Sequence, residues 1–264
     1  MKKLYIIKIG GNVIEHSIAM EKFLADFSKI DGLKILVHGG GNSAGELAKK
    51  LGVSQAMVNG RRITDIETLK ITTMVYAGLI NKKIVAFLQG KNTNAIGLSG
   101  ADANLIRAAR RVVADIDYGF VGDIASSGVN SVLLTSFLDN GLVPVFSAIT
   151  HDGKGQLLNT NADTIASVLA VALSEKYDVQ LNYCFEKNGV LENVEDEDSV
   201  IKIITKIKYK QLISDGTISK GMIPKLDNAF LAIQNGVKSV VIAHSDELIN
   251  TTNNEHKGTT LITG

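Results

Sequence analysis

The chain has 264 residues, 45% hydrophobic and 21% charged, a composition that excludes intrinsic disorder and fits one large α/β domain or two small ones. Its 28 Lys and Arg against 27 Asp and Glu leave a formal net charge of +1, so no whole-molecule field recruits nucleic acid or an anionic membrane, and any phosphate must be held locally. One cysteine, Cys184, excludes an intramolecular disulfide framework and a thiolate zinc site, which predicts a reducing compartment, the cytoplasm.

The first apolar run, residues 4–7, is broken by Lys8 and then by Gly10 and Gly11. It is too short for a signal-peptide core or a membrane span, so neither export nor a membrane partner is expected. Short Ile- and Val-rich runs then alternate with stretches of helical spacing, the pattern of βαβ units, which predicts an α/β chain with a mainly parallel sheet covered on both faces. In chain order the predicted elements are a strand at 4–9, helix 17–29, strand 34–38, helix 42–51, helix 65–89, strand 95–98, helix 129–139, strand 142–146, helix 161–175, strand 179–184, helix 221–235 and strand 239–243. Residues 53–63, 110–125 and 152–159 are predicted hairpin or loop excursions, with glycines supplying the turns, and are expected to roof a pocket. The acidic run 192–198 fits a solvated loop. A boundary near 175–178 divides an N-terminal half, 1–175, from a C-terminal half, 176–264, within one two-lobed domain.

Two predicted strands end in glycines. Lys8-Ile9-Gly10-Gly11-Asn12 closes the first, where a Gly pair lets the backbone turn and approach a ligand. A lysine inside an apolar strand is costly unless it meets an anion, which a phosphate would supply; the competing reading is a frayed end whose Lys8 snorkels to water. His38-Gly39-Gly40-Gly41-Asn42-Ser43 repeats the order of strand, glycines and helix, aiming free N–H groups and the helix dipole at an anion, or else the glycines serve only a tight turn. It is not a Walker A loop, because Glu46 stands where the lysine belongs, and no G-x-G-x-x-G spans residues 39–45.

Three further segments carry charge. Asn59-Gly60-Arg61-Arg62-Ile63-Thr64 joins a turn to paired guanidinium groups suited to bidentate capture of a carboxylate, although surface arginines are common. Asn159-Thr160-Asn161-Ala162-Asp163 sets Asn161 as a cap with Asp163 in the first helical turn, which capping alone would explain. Gly221-Met222-Ile223-Pro224-Lys225 opens a helix with a proline in its first turn, and a lysine there opposes the helix dipole, which points to a ligand.

In this order the five segments resemble the amino-acid kinase family, and most closely its branch acting on N-acylated glutamate. The likeness runs from Lys8 to Gly258 and Thr259 and includes residues 97–100, 119–122 and 140–145. The resemblance implies a three-layer αβα sandwich with a mainly parallel central sheet, and transfer of the ATP γ-phosphoryl to the side-chain carboxylate of an N-acylglutamate in arginine biosynthesis. It implies that the N-terminal half binds the acylglutamate and mediates dimerisation, and that the C-terminal half binds ATP. Lys8 and Lys225 would neutralise charge on the phosphoryl in flight, with Asp163 holding both amines. Gly10, Gly11, Gly40 and Gly41 would offer backbone donors, the first pair to ATP and the second to the substrate. Arg62 would take the α-carboxylate and Asn159 would also contact the substrate. Glu186, Lys187, Gly189, Leu191, Ile218 and Ser219 would line the nucleotide site, and Mg²⁺ would arrive on the ATP.

No general base is needed, since a carboxylate is already ionised at neutral pH. The chain departs from the family pattern at residues 185–191, where Glu186 stands in for the usual Asp, at Lys220-Gly221, where Asp-Gly is usual, and at residues 100–104, which lack a Lys-Asp-Gly. Open alternatives are N-succinyl in place of N-acetyl-L-glutamate, another activity of the family, or a non-catalytic regulator that binds ATP or an amino acid. Arginine-inhibited hexamers of the family carry an extra helix before the first strand, and here the strand starts at about Leu4, so an arginine-insensitive homodimer is expected.

Overall fold

Strand β1, Lys3–Ile9, lies in the middle of an eight-stranded sheet because its run of Leu, Tyr and Ile can be buried on both faces. The other strands are β2 Leu33–His38, β3 Ala95–Leu98, β4 Val143–Ser147, β5 Asp178–Phe185, β6 Ile203–Thr205, β7 Ser239–His244 and β8 Thr259–Ile262. Their order across the sheet is β6-β8-β7-β5-β1-β2-β4-β3, and every neighbouring pair is parallel except β7 with β8. The computed structural model describes residues 1–58, 61–218 and 222–263.

Helices cover both faces. They are α1 Gly11–Glu15, α2 Ser17–Lys29, α3 Gly41–Lys50, α4 Ile66–Gln89, α5 Ser131–Asp139, α6 Ala162–Leu173, α7 Lys206–Ser214, α8 Ile223–Gln234 and α9 Leu248–Thr252. On one face α6 packs over β1, β2 and β5 and against α8; on the other α2 packs against the end of α4 and against α9. Leu69, Val75, Ile80, Ile84 and Leu88 of α4 are buried in the core. This helix is α-helical to Thr73, π-helical over Met74–Ile80 and α-helical again from Asn81. Lys34 on β2 caps the end of α2, its buried Nζ donating to Phe27 O, Ser28 O and Ile30 O at 2.8 to 2.9 Å.

The predicted helices at 65–89, 129–139 and 161–175 start one or two residues early, because Asp65, Asn130 and Asn161 are caps whose side chains accept first-turn N–H bonds. Strands β6 and β8 and helices α1, α7 and α9 were not predicted. The strands have three and four residues and α1 and α9 five each, too short for a periodic signal, while α7 carries four lysine or glutamine residues in nine. The three predicted excursions hold antiparallel pairs: Met57–Val58 with Arg61–Arg62, Ala109–Arg110 with Gly122–Asp123, and Ile149–His151 with Leu157–Asn159. The turn residues Asn59 and Gly60 lie outside the described residues.

In register, Lys8 faces Val37 and Tyr183, Ile9 faces His38 and Cys184, and His38 faces Ser147. The carboxyl ends of β1, β2, β4 and β5 therefore reach one level, where parallel α/β sheets hold their ligands.

Candidate active site

At this edge α6 begins. Asn161 accepts hydrogen bonds from the N–H groups of Asp163 and Thr164 at 2.7 and 3.2 Å, which fixes the first turn and aims the Asp163 side chain back over β1. Asp163 is only 7% exposed, and one amine meets each of its oxygens. Lys8 Nζ stands 2.9 Å from Oδ1, and Lys225 Nζ donates to Oδ2 at 2.8 Å. The Lys8 contact is an ion pair by distance and lacks the full geometry of a directed hydrogen bond. Lys8 is therefore not a frayed strand end: its side chain is 12% exposed within a seven-residue strand.

Burial pushes the Asp163 carboxyl up, but the two amines outweigh it and hold the group well below the usual carboxylate range. One carboxylate against two lysines leaves surplus positive charge, and the N-termini of α6 and α8 add to it. Tyr183 Oη donates to Asp163 O at 3.2 Å, and burial first, then the Asp163 charge, keep that phenol neutral. Burial pushes the Cys184 thiol up to about 12 despite nearby Lys8, so Cys184 is an inert filler of the core.

The glycine turns flank this triad. Gly10 N–H donates to Cys184 O at 2.7 Å, tying the end of β1 to β5, and Gly11 opens α1 with nothing within 4 Å of where a Cβ would lie. Gly39, Gly40 and Gly41 lead from β2 into α3 and form one wall of a cavity of about 250 Å³. Arg62, Asn159 and Tyr76 also line it. Arg62 Nη2 donates to Gly41 O at 2.7 Å, and Asn159 Nδ2 donates to Thr64 Oγ1 at 3.0 Å.

A second cavity, of about 130 Å³, lies in the C-terminal part of the chain and is lined by Lys187, Gly189, Leu191, Ile218 and Met222 among others. Thr259 Oγ1 accepts from Val190 N–H at 2.9 Å and so ties the 186–191 loop to β8. Chain neighbours of the triad line both cavities: Asn161, Ala162 and Thr164 around Asp163 line the first, and Met222, one turn before Lys225, lines the second.

Of the residues singled out from sequence, Lys8, Lys225 and Asp163 are brought into contact, Gly40, Gly41, Arg62 and Asn159 share one cavity, and Lys187, Gly189, Leu191 and Ile218 share the other. Glu186 is exposed at the end of β5 and does not line that cavity. Ser219, Lys220 and Gly221 lie outside the described residues. Sequence reasoning missed Tyr76, which reads as one more apolar position of a long helix, and Arg111, which lines the first cavity while paired with Asp123. It also missed Thr259 as a support of the loop, although Gly258-Thr259 was part of the resemblance.

Residues 3–244 match the amino acid kinase family. The chain is 54% identical over 260 residues to an acetylglutamate kinase of Phocaeicola vulgatus, with 98% of each chain covered. It is likewise 54% identical over 264 residues to an acetylglutamate kinase of Cytophaga hutchinsonii, with 99% of each covered. In three dimensions it resembles N-acetylglutamate synthase from Neisseria gonorrhoeae with a TM-score of 0.83 at 20% identity, over all of this chain and 60% of that one, a likeness of fold. On the match along nearly its whole length, the chain belongs to the amino acid kinase family.

Proposed function

We propose that the protein is an ATP-dependent N-acetyl-L-glutamate kinase, moving the γ-phosphoryl of ATP onto the side-chain carboxylate of its substrate. The observation that carries this reading is the placement of Lys8 and Lys225 on the two oxygens of one buried carboxylate, whose chain neighbours and those of Lys225 line two cavities. Full-length relatives named acetylglutamate kinase support the choice of substrate.

In this mechanism Arg62 binds the α-carboxylate in the first cavity, Asn159 also contacts the substrate, and the 187–191 loop with Ile218 holds the nucleotide. The side-chain carboxylate attacks phosphorus, a C–O–P bond forms, the bond to the ADP oxygen breaks, and the products are ADP and an acyl phosphate. The nucleophile is already ionised, so the residues position two anions and stabilise charge on the equatorial oxygens instead of moving a proton. Lys8 and Lys225 do this from opposite sides, Asp163 keeps the amines apart and aimed, and N–H groups at Gly10, Gly11, Gly40 and Gly41 add donors.

Among the described residues no cluster of three or more His, Cys, Asp or Glu side chains stands ready for a metal ion, and both Asp163 oxygens face lysines. This donor set suits a Mg²⁺ ion carried in on the nucleotide phosphates, where it would screen their charge. A cytoplasmic homodimer completes the reading, supported by the family resemblance and by a lone, buried cysteine.

The test is a hydroxylamine trap with MgATP and N-acetyl-L-glutamate or N-succinyl-L-glutamate, beside glutamate, aspartate and carbamate. Acyl hydroxamate is expected from an N-acylglutamate, and the ratio of kcat/KM values assigns the acyl group. No hydroxamate from either acylglutamate would overturn the proposal.

A further inference from the structure

Each glycine of the turn after β2 has a support of its own. His38, fully buried at the end of β2, places Nδ1 2.9 Å from Gly39 O and Nε2 3.0 Å from Asn81 Nδ2. An amide nitrogen only donates, so Nε2 accepts, and Nδ1 carries the proton and donates to Gly39 O. The second hydrogen of Asn81 Nδ2 goes to Val145 O at 2.9 Å, and Oδ1 accepts from Lys82 Nζ at 3.1 Å, which fixes the way the amide faces. Gly40 has φ of +150°, and a Cβ there would stand 2.3 Å from Ile80 Cδ1 and 3.0 Å from Tyr76 Cδ1. Gly41 O is held by Arg62.

Tyr76, Ile80 and Asn81 all belong to α4, at spacings of four and five. Residues five apart point about 140° away from each other on an α-helix. The π-helical stretch Met74–Ile80, with its i→i+5 hydrogen bonding, narrows that gap, so that Tyr76 and Ile80 pack on Gly40 while Asn81 reaches His38 behind it.

We propose that His38 and Asn81 are positioning residues for phosphoryl transfer, the Nδ1–H of His38 setting the Gly39 peptide so that the N–H groups of the turn face the cavity. The proposal rests on the kinase reading above. Neither residue touches the reacting groups; both act through the turn. Burial, with Lys82 adding to it against the bond to Gly39, lowers the imidazole pKa to about 4, so the ring stays neutral and keeps Nε2 free to accept.

Two substitutions separate the two nitrogens. His38→Asn can keep a donor near the Nδ1 position and loses the bond to Asn81, whereas His38→Gln can keep an acceptor near the Nε2 position and loses the bond to Gly39. Measured on the intact protein are kcat, KM for both substrates, Tm, and amide exchange over residues 36–44 without substrates. His38→Gln is expected to lower kcat about 10²-fold with both KM values within about threefold, while His38→Asn stays within about tenfold of wild type, whatever the order of their Tm values. Exchange over the turn should rise more in His38→Gln. Asn81→Ala, which frees the ring to rotate, is expected to lose kcat at least about tenfold with KM little changed. Activity that simply follows Tm across the set, or wild-type kcat in His38→Gln or Asn81→Ala, would overturn the proposal. A wild-type protein inactive on acylglutamates overturns the kinase reading instead, and the exchange data then judge the brace alone.

Discussion

Lys225 Nζ donates a 2.8 Å hydrogen bond to Asp163 Oδ2, joining the first turns of two helices through residues 62 positions apart in sequence. A lysine in the first turn of α8 opposes that helix's dipole, and an aspartate in the first turn of α6 complements its own. The pair thus holds a positive group where two helix N-termini converge, and Lys8 adds a second from β1.

Replacing Asp163 exposes what the pair contributes to stability. Its folded-state pKa lies below the unfolded value of about 3.9, so its contribution is fully present above that value and is lost as pH falls toward the lower, folded one. Asp163→Asn is expected to cost roughly 3 kcal/mol at neutral pH, the penalty for breaking a buried ion pair. The gap from wild type should narrow below about pH 4. Denaturant titrations at several pH values check this, and a gap that is unchanged at about pH 3 would count against the assignment.

Two glycines distinguish packing from chemistry. Gly40→Ala forces a Cβ to within 2.3 Å of Ile80 and a left-handed φ on a residue that resists it, so loss of both Tm and activity is expected. Gly11→Ala meets nothing within 4 Å and sits at a helix start, so Tm should hold or rise slightly while kcat falls, because the methyl enters the space assigned to the phosphoryl group. Thermal melts and steady-state kinetics on the two variants read this out; a fully active Gly11→Ala would move the phosphoryl elsewhere.

The smaller cavity should report on nucleotide alone. Ile218 is 7% exposed on its wall, and Ile218→Trp fills a space of about 130 Å³. KM for ATP is expected to rise roughly tenfold or more with KM for the acylglutamate unchanged. Equal effects on both constants would show that this cavity is not the nucleotide site.

The central strands and the Lys8, Gly40 and Asn161 features were legible because each rests on local chemistry: buried β-branched runs, a charge in an apolar strand, glycines before a helix, a cap. That Lys225 meets Asp163 was not legible from spacing, since the two lie 62 positions apart with two strands between them, and it came from the family resemblance. The π-helical turn in α4 leaves no composition signature, so the reason Tyr76 meets Gly40 while Asn81 meets His38 appears only in three dimensions. Glu186, matched with a family aspartate by position, is exposed just past the end of β5 and lies off the wall of the smaller cavity.

The assignment of both amines to one phosphoryl group is tested most directly by steady-state kinetics of Lys8→Met and Lys225→Met with MgATP and an N-acylglutamate that wild type phosphorylates. Each variant is expected to lose about 10³-fold or more in kcat, with KM for the acylglutamate changed only a few-fold. A kcat within about tenfold of wild type in either variant would contradict the shared role.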